Sequence, residues 1–219
     1  ALPHTADLGR EKDGFGPAAW QSAIKQERKM VKMNTQKSQN LTNQRPASLG
    51  RRFGAYLIDW YLGGLATALP ISMVSMKLFQ TVQNQNILSF PASYGIAAGT
   101  AGLAAALFYY VFIPAFIWKG QTPGKRLVKI RIVSADGNEV TLPKLMIRQI
   151  LGIMVVEGGL VTASALWHQL ATILTGIDFV KPLMYIGMGI SILSSIITLL
   201  GDHRAIHDRI GRTQVVSDK

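Results

Sequence analysis

Long stretches almost free of charge alternate along this chain with short, densely charged ones. The apolar stretches run from about 53 to 78, 94 to 118, 145 to 174 and 183 to 200. At about 1.5 Å of rise per residue, the first is long enough to cross a hydrocarbon core of about 30 Å. The pattern predicts an all-α membrane protein, a bundle of about four transmembrane helices. Between the second and third stretches, Ile130, Ile132 and Val140 flank Asp136-Gly137. An apolar run on either side of Asp-Gly predicts a short β-hairpin in that loop.

The charges sharpen this picture. They crowd into the first fifty residues, a central stretch from Lys119 to Lys144, and the last eighteen residues. The loop after the first stretch, FQTVQNQNILSFPAS, has none. Four crossings place every basic cluster on one side, as the positive-inside rule expects, and an odd number would strand one outside. Both termini and the hairpin are therefore expected on the cytoplasmic or matrix side, in a bacterial cytoplasmic membrane or the mitochondrial inner membrane. Lys77, near the outer end of the first span, can extend its amine to the headgroups. Tyr109, Tyr110 and Trp118 would sit in an aromatic belt near the inner end of the second. Gly95, Gly99 and Gly102 in the same span allow close helix contact and offer a face to partner helices.

Composition agrees. Hydrophobic residues make up 48% of the 219 residues and charged ones 16%, against roughly 25% charged in an average soluble domain. The net charge of +11 could suit nucleic acid, but basic clusters that flank apolar spans argue for a lipid bilayer and no nucleic acid. The absence of cysteine excludes disulfides, thiol catalysis and thiolate metal sites. The opening residues, ALPHTADLGREKDGFG, have no apolar core and are not a secretory signal peptide. The sequence begins at Ala1 rather than Met, which a removed targeting peptide would explain. Three regions follow: a polar extension (1–48), a transmembrane domain (49–216) and a short end (217–219). Within the extension, 18–33 reads as a short amphipathic helix with Trp20, Ile24 and Val31 along one side. The extension is expected to pack on a partner; a solvated tail is the plainer alternative.

Three motifs stand in order between the spans. Arg52, Ala55 and Asp59 form R-x-x-A-x-x-x-D in the first span. The second is Gly120-Gln121-Thr122-Pro123-Gly124-Lys125-Arg126, and the third His207-Asp208-Arg209 with Gly211, Thr213 and Val215. Together they resemble the RDD family of small membrane proteins, named for one arginine and two aspartates. The likeness covers about 51 to 216. It implies that Arg52, Asp59 and Asp208 are the named residues, while activity stays open, because the family has been linked both to ion transport and to partnership with other membrane proteins. The extension, the proline within the loop motif and a charged residue in the third span are departures from the family pattern.

Arg52 and Asp59, seven residues apart, share a helix face. An aspartate at that depth should point into the bundle and pair. Candidate partners are Arg148, Lys125 and Arg126. A carboxylate beside an arginine favours its charged form, which suits a structural ion pair better than a proton site. Glu157 lies near the middle of the third span. Intramembrane carboxylates often mark ion paths, so Asp59 and Glu157 are the candidate ion or proton site. Pairing of Glu157 with His168, Thr162 or a neighbouring subunit is the structural alternative. His203 and His207, four apart, could hold a divalent metal, but the juxtamembrane setting argues for no metal. The loop GQTPGKR lacks the glycine spacing and the Ser/Thr of a phosphate loop. No catalytic constellation and no cofactor fingerprint stands in a credible context.

The expected function is that of a non-catalytic accessory or scaffold subunit of a larger membrane complex, for instance of respiratory or ATP synthase type, with other membrane protein subunits as partners. The alternative is a small cation/proton antiporter or channel.

Overall fold

The computed structural model describes residues 17–42, 45–158 and 162–218. The chain divides into two compact units, 1–42 and 43–219. Among its described residues the first contains one helix, α1 (Pro17–Thr42), longer than the segment its amphipathic pattern marks.

The second unit is mostly helical, with a two-stranded sheet. Helix α2 (Leu49–Phe79) starts at Ser48, whose side chain accepts from the Arg51 N–H, and stops where Gln80 turns left-handed and its N–H returns to the Met76 carbonyl. Its buried residues are Ala55, Asp59, Gly63, Thr67, Ile71 and Ser75, every fourth position, which places them on one face. Helix α3 (Ala92–Leu107) continues as a π-helical stretch, Phe108–Ile117. Then come α4 (Pro123–Leu127), β1 (Ile130–Ser134) and α5 (Leu142–Met146), the last extended by a second π-helical stretch, Ile147–Val156. Helices α6 (Thr162–Thr175), α7 (Val180–Leu200) and α8 (Ile206–Ile210) precede β2 (Thr213–Ser217).

Among the described residues, three helices are long and apolar enough to cross a membrane: Leu49–Phe79, Ala92–Ile117 and Val180–Leu200. The third apolar stretch differs from expectation. It breaks after Val156 into two helical pieces, neither of which reaches the ~20 residues that one crossing needs. Glu157 and Gly158 interrupt the ladder, and 159–161 lie outside the described residues. The freed carbonyls nevertheless find donors. Met154 accepts from the Ser164 hydroxyl and the Trp167 indole, both at 3.0 Å, and Glu157 accepts from the Ser191 hydroxyl. Irregular backbone in an apolar setting persists only where its polar groups are satisfied like this.

The expected hairpin is also corrected. Gly137 does make the tight turn (φ 76°), but only one bridge, Val133 to Glu139, joins its two arms. The main partner of β1 is β2, antiparallel, with Ile132 opposite Val215. On the other side of β2, Pro46 bridges Val216, and the Ala47 N–H donates to the Val215 carbonyl. The approach to α2, the central loop and the C-terminal segment thus meet at one end of the bundle. A small apolar core of Ala47, Ala55, Ile130, Ile132, Leu145 and Val215 seals that end. A second core, of Ile71, Ile87, Phe90, Ala98 and Leu166, lies further along α2.

The glycine face of α3 is occupied within the chain. A Cβ on Gly99 would stand 2.7 Å from both Ile87 and Leu170, and one on Gly102 2.8 Å from Leu166. These glycines bring α3 against α6 and the turn at Ile87, so they are not a face open to partner helices.

Candidate functional site

Asp59, on the buried face of α2, meets the loop between α3 and β1. Its Oδ1 accepts from the Tyr109 hydroxyl at 2.9 Å and the Gly124 N–H at 2.8 Å. Its Oδ2 accepts from the Thr122 hydroxyl and from Lys125 Nζ at 3.1 Å. Four donors saturate the carboxylate. Its own backbone carbonyl accepts from the Tyr110 hydroxyl at 2.8 Å. Lys125 is therefore the cation that pairs with Asp59. Burial draws the Lys125 ammonium below the usual lysine range, and the Asp59 charge opposes that shift without cancelling it.

This contact explains the loop motif. At Gly124 a Cβ would lie 2.6 Å from the Ala55 carbonyl and 2.7 Å from Asp59 Oδ1, so only glycine lets the loop reach the carboxylate. Gly120 holds φ +80°, and a Cβ there would strike the Ile132 carbonyl. The aromatic pair also departs from expectation: Tyr109 is buried and Tyr110 partly so, both turned inward to Asp59. Trp118 instead receives the Arg126 guanidinium over its ring, 4.8 Å from the centroid.

Arg52 does not pair with Asp59. Its guanidinium reaches Asp208 Oδ2 at 3.5 Å and the Val215 carbonyl at 3.2 Å. Asp208 is fully buried and holds a second arginine, Arg148, through Oδ1 at 3.1 Å. It also caps its own short helix through the Ala205 N–H at 3.4 Å. Burial pushes the Asp208 carboxyl up, but the Arg148, His207 and Arg52 charges outweigh it and bring it down to about 2. Arg148 itself is only 3% exposed. The seven-residue spacing thus puts Arg52 and Asp59 on one helix face, but each reaches a different segment: Arg52 the C-terminal tail, Asp59 the central loop.

Glu157 pairs with neither His168 nor Thr162. Its Oε1 accepts from the Ser194 hydroxyl at 2.6 Å and the His207 N–H at 2.9 Å, and its Oε2 lies 2.7 Å from His207 Nδ1. The other ring nitrogen of His207 is 3.8 Å from Asp208. Glu157, His207, Asp208, Arg148 and Arg52 therefore form one continuous polar chain linking the broken helix, the tail and α2. His203 stands apart from it, in a left-handed conformation with Nδ1 3.3 Å from the Thr198 carbonyl. The two histidines do not share a helix face, because α8 begins only at Ile206.

Sequence reasoning missed Tyr109, Thr122 and Ser194 as partners of these carboxylates, and Tyr110 and Ser191 as donors to the backbone carbonyls of Asp59 and Glu157. The clearest signal for one of them was Thr122, a hydroxyl inside the loop motif. A cleft of about 730 Å³ opens beside the chain of charges, with Arg52, Asp59, Glu157 and His207 on a largely apolar wall. The arrangement couples segments through ion pairs and caps, and each of its three carboxylates is bonded from within the chain.

The RDD family profile matches residues 46–212, the stretch that contains every charged residue of this site. The chain is similar to an uncharacterized protein, YckC, of Bacillus subtilis (strain 168), with 26% identity over 171 residues, or 78% of this chain and 84% of that protein. No solved structure matches it. From Pro46 to Arg212, with three helices apolar enough to span a bilayer and its motif residues gathered at one end, this chain belongs to the RDD family of membrane proteins.

Proposed function

We propose that this RDD-family protein is a non-catalytic accessory or scaffold subunit of a larger membrane assembly. The observation that carries this reading is the commitment of its buried charges. Asp59, Asp208 and Glu157 are each engaged by donors from within the chain, which suits a structural role better than a conducting one. The long helices stay outward-facing: only 11% of the most apolar window of α7 is buried. Such a surface must be covered by lipid or by the helices of a partner.

In this reading the broken segment completes a fourth crossing in two pieces. Leu142–Val156 packs beside α8, and α6 reaches the turn at Ile87, whose N–H donates to Gln169 at 2.9 Å. Both ends of the family domain then lie on the basic side, cytoplasm or matrix. The test is the native mass after extraction in mild detergent, with the protein located on a native gel by mass spectrometry. Migration within a large complex is the expected result, and migration as a lone monomer would overturn the reading.

A second reading, a small cation/proton antiporter or channel, draws on the cleft that reaches Glu157, His207 and Asp59. Ion flux in proteoliposomes that disappears in both Asp59→Asn and Glu157→Gln would favour it, provided that both variants remain folded.

A further inference from the structure

Helix α1 carries a second pattern that the family domain does not use. It contains Lys25, Arg28, Lys29, Lys32 and Lys37 but a single carboxylate, Glu27. At about 100° per residue, Lys25, Arg28, Lys29 and Lys32 fall within an arc of about 100°. Trp20, Ile24 and Val31 fall within an arc of about 40° that adjoins it at Arg28. The apolar residues are open: Trp20 is 64% exposed and Val31 59%. At a bilayer surface the same pattern is favourable, because the indole and aliphatic side chains enter the headgroup boundary while the cations face anionic lipid.

Chain connectivity supplies the location. Only six residues, 43–48, separate Thr42 from Leu49, where the first membrane-spanning helix starts. Six residues reach about 20 Å when fully extended, so the C-terminal end of α1 is tethered within that reach of the start of α2. Arg45 and Arg51, both exposed, add to the positive charge at the same point, and anionic lipid concentrates opposite such clusters.

We propose that α1 is an interfacial helix that binds the anionic phospholipid surface of the membrane its own chain spans. Lys25, Arg28, Lys29 and Lys32 contact the headgroups, and Trp20, Ile24 and Val31 enter the boundary. Glu27, about 20° beyond the apolar arc on the side away from the cations, opposes this attraction and limits its strength. The chemistry selects lipid over a protein groove because the cations are spread along two helical turns and match a diffuse charged plane.

The absence of cysteine makes a direct test simple. The full chain with Val31→Cys, spin-labelled at that one site, is placed in nanodiscs of phosphatidylcholine alone or with phosphatidylglycerol added. Accessibility of the label to oxygen and to a water-soluble nickel chelate is then read. In the anionic discs the label should become severalfold less accessible to the chelate. High salt should reverse the change, as should replacing Lys25, Arg28, Lys29 and Lys32 together by glutamine. An Ile24→Cys label should report the same shift independently. Equal accessibility in both kinds of disc would overturn the proposal, and that is the result expected of a helix that docks on another protein. Burial that survives the four glutamines would equally overturn it, since the cations would then not be the recognition element.

Discussion

The two ends of α2 are held by different physics. Near Ala55 the helix is clamped by buried charge: Asp59 with Lys125, and Arg52 with Asp208 and Arg148. Near Ile71 it is held by an apolar core of Ile87, Phe90, Ala98 and Leu166, with one side-chain amide bonding the turn at Ile87. The charged end joins segments far apart in sequence, Arg52 and Asp208 being 156 residues apart. Buried ion pairs suit such a junction because they demand one register: a misplaced partner leaves an uncompensated charge, which costs more than the correct pair contributes. The apolar end also joins distant segments, α2 and α3 with α6, but tolerates adjustment, because its energy follows area and volume. Specificity is concentrated at one end and bulk cohesion at the other.

The comparison is broken most forcefully at Asp208. Asp208→Ala leaves Arg148 and Arg52 facing one another without a carboxylate, and should destabilise the protein by about 3–5 kcal/mol, read as a fall in melting temperature in detergent. The tail beyond α7 should become protease-sensitive before the rest unfolds. At the other end Leu166→Ala, at a site 2% exposed, should cost about 2–4 kcal/mol through lost burial and a cavity. That loss should be independent of salt and pH, and the tail should remain protected.

Acid separates the two ends without mutation. Asp208 titrates at about 2 in the folded chain against 3.8 for the free side chain. A carboxyl depressed on folding contributes stability that is present above the unfolded value and lost as pH falls through the folded one. The contribution, about 2 kcal/mol, should therefore disappear between about pH 4 and 2, and the tail should loosen over that window. Leu166→Ala should show the same acid transition as the parent, whereas Asp208→Ala should lack this component. The smallest effect is expected at the Lys119–Glu139 pair, whose side chains are 73% and 69% exposed. Glu139→Gln should change stability by less than about 0.5 kcal/mol, showing that burial, and not charge alone, gives the clamp its strength.

Much of this was legible in the residues. The alternation of apolar and charged segments located the long helices, and the three motifs marked the residues that the charged end gathers. What the pattern could not show was pairing. Arg52 and Asp59 share a helix face, but sharing a face does not decide which segment each meets, and the tail and the loop arrive from 156 and 66 residues away. The β1 strand misled for the same reason: Asp-Gly specifies a turn, while the long-range partner, Val215 opposite Ile132, leaves no local signature. Hydropathy over 145–174 is continuous, so the break at Glu157 was hidden until Ser194 and the backbone of His207 came to its carboxylate and Ser191 to its carbonyl. The glycines of α3 announced close contact correctly, but composition could not say that the contact was internal.

The central claim is that Arg52 serves the tail and Asp59 the loop. Two double-mutant cycles on unfolding free energy test it directly: Arg52→Gln with Asp208→Asn, and Arg52→Gln with Asp59→Asn. The account predicts a coupling of about 1–3 kcal/mol in the first cycle and less than about 0.5 kcal/mol in the second. Strong coupling between Arg52 and Asp59, with little between Arg52 and Asp208, would contradict it.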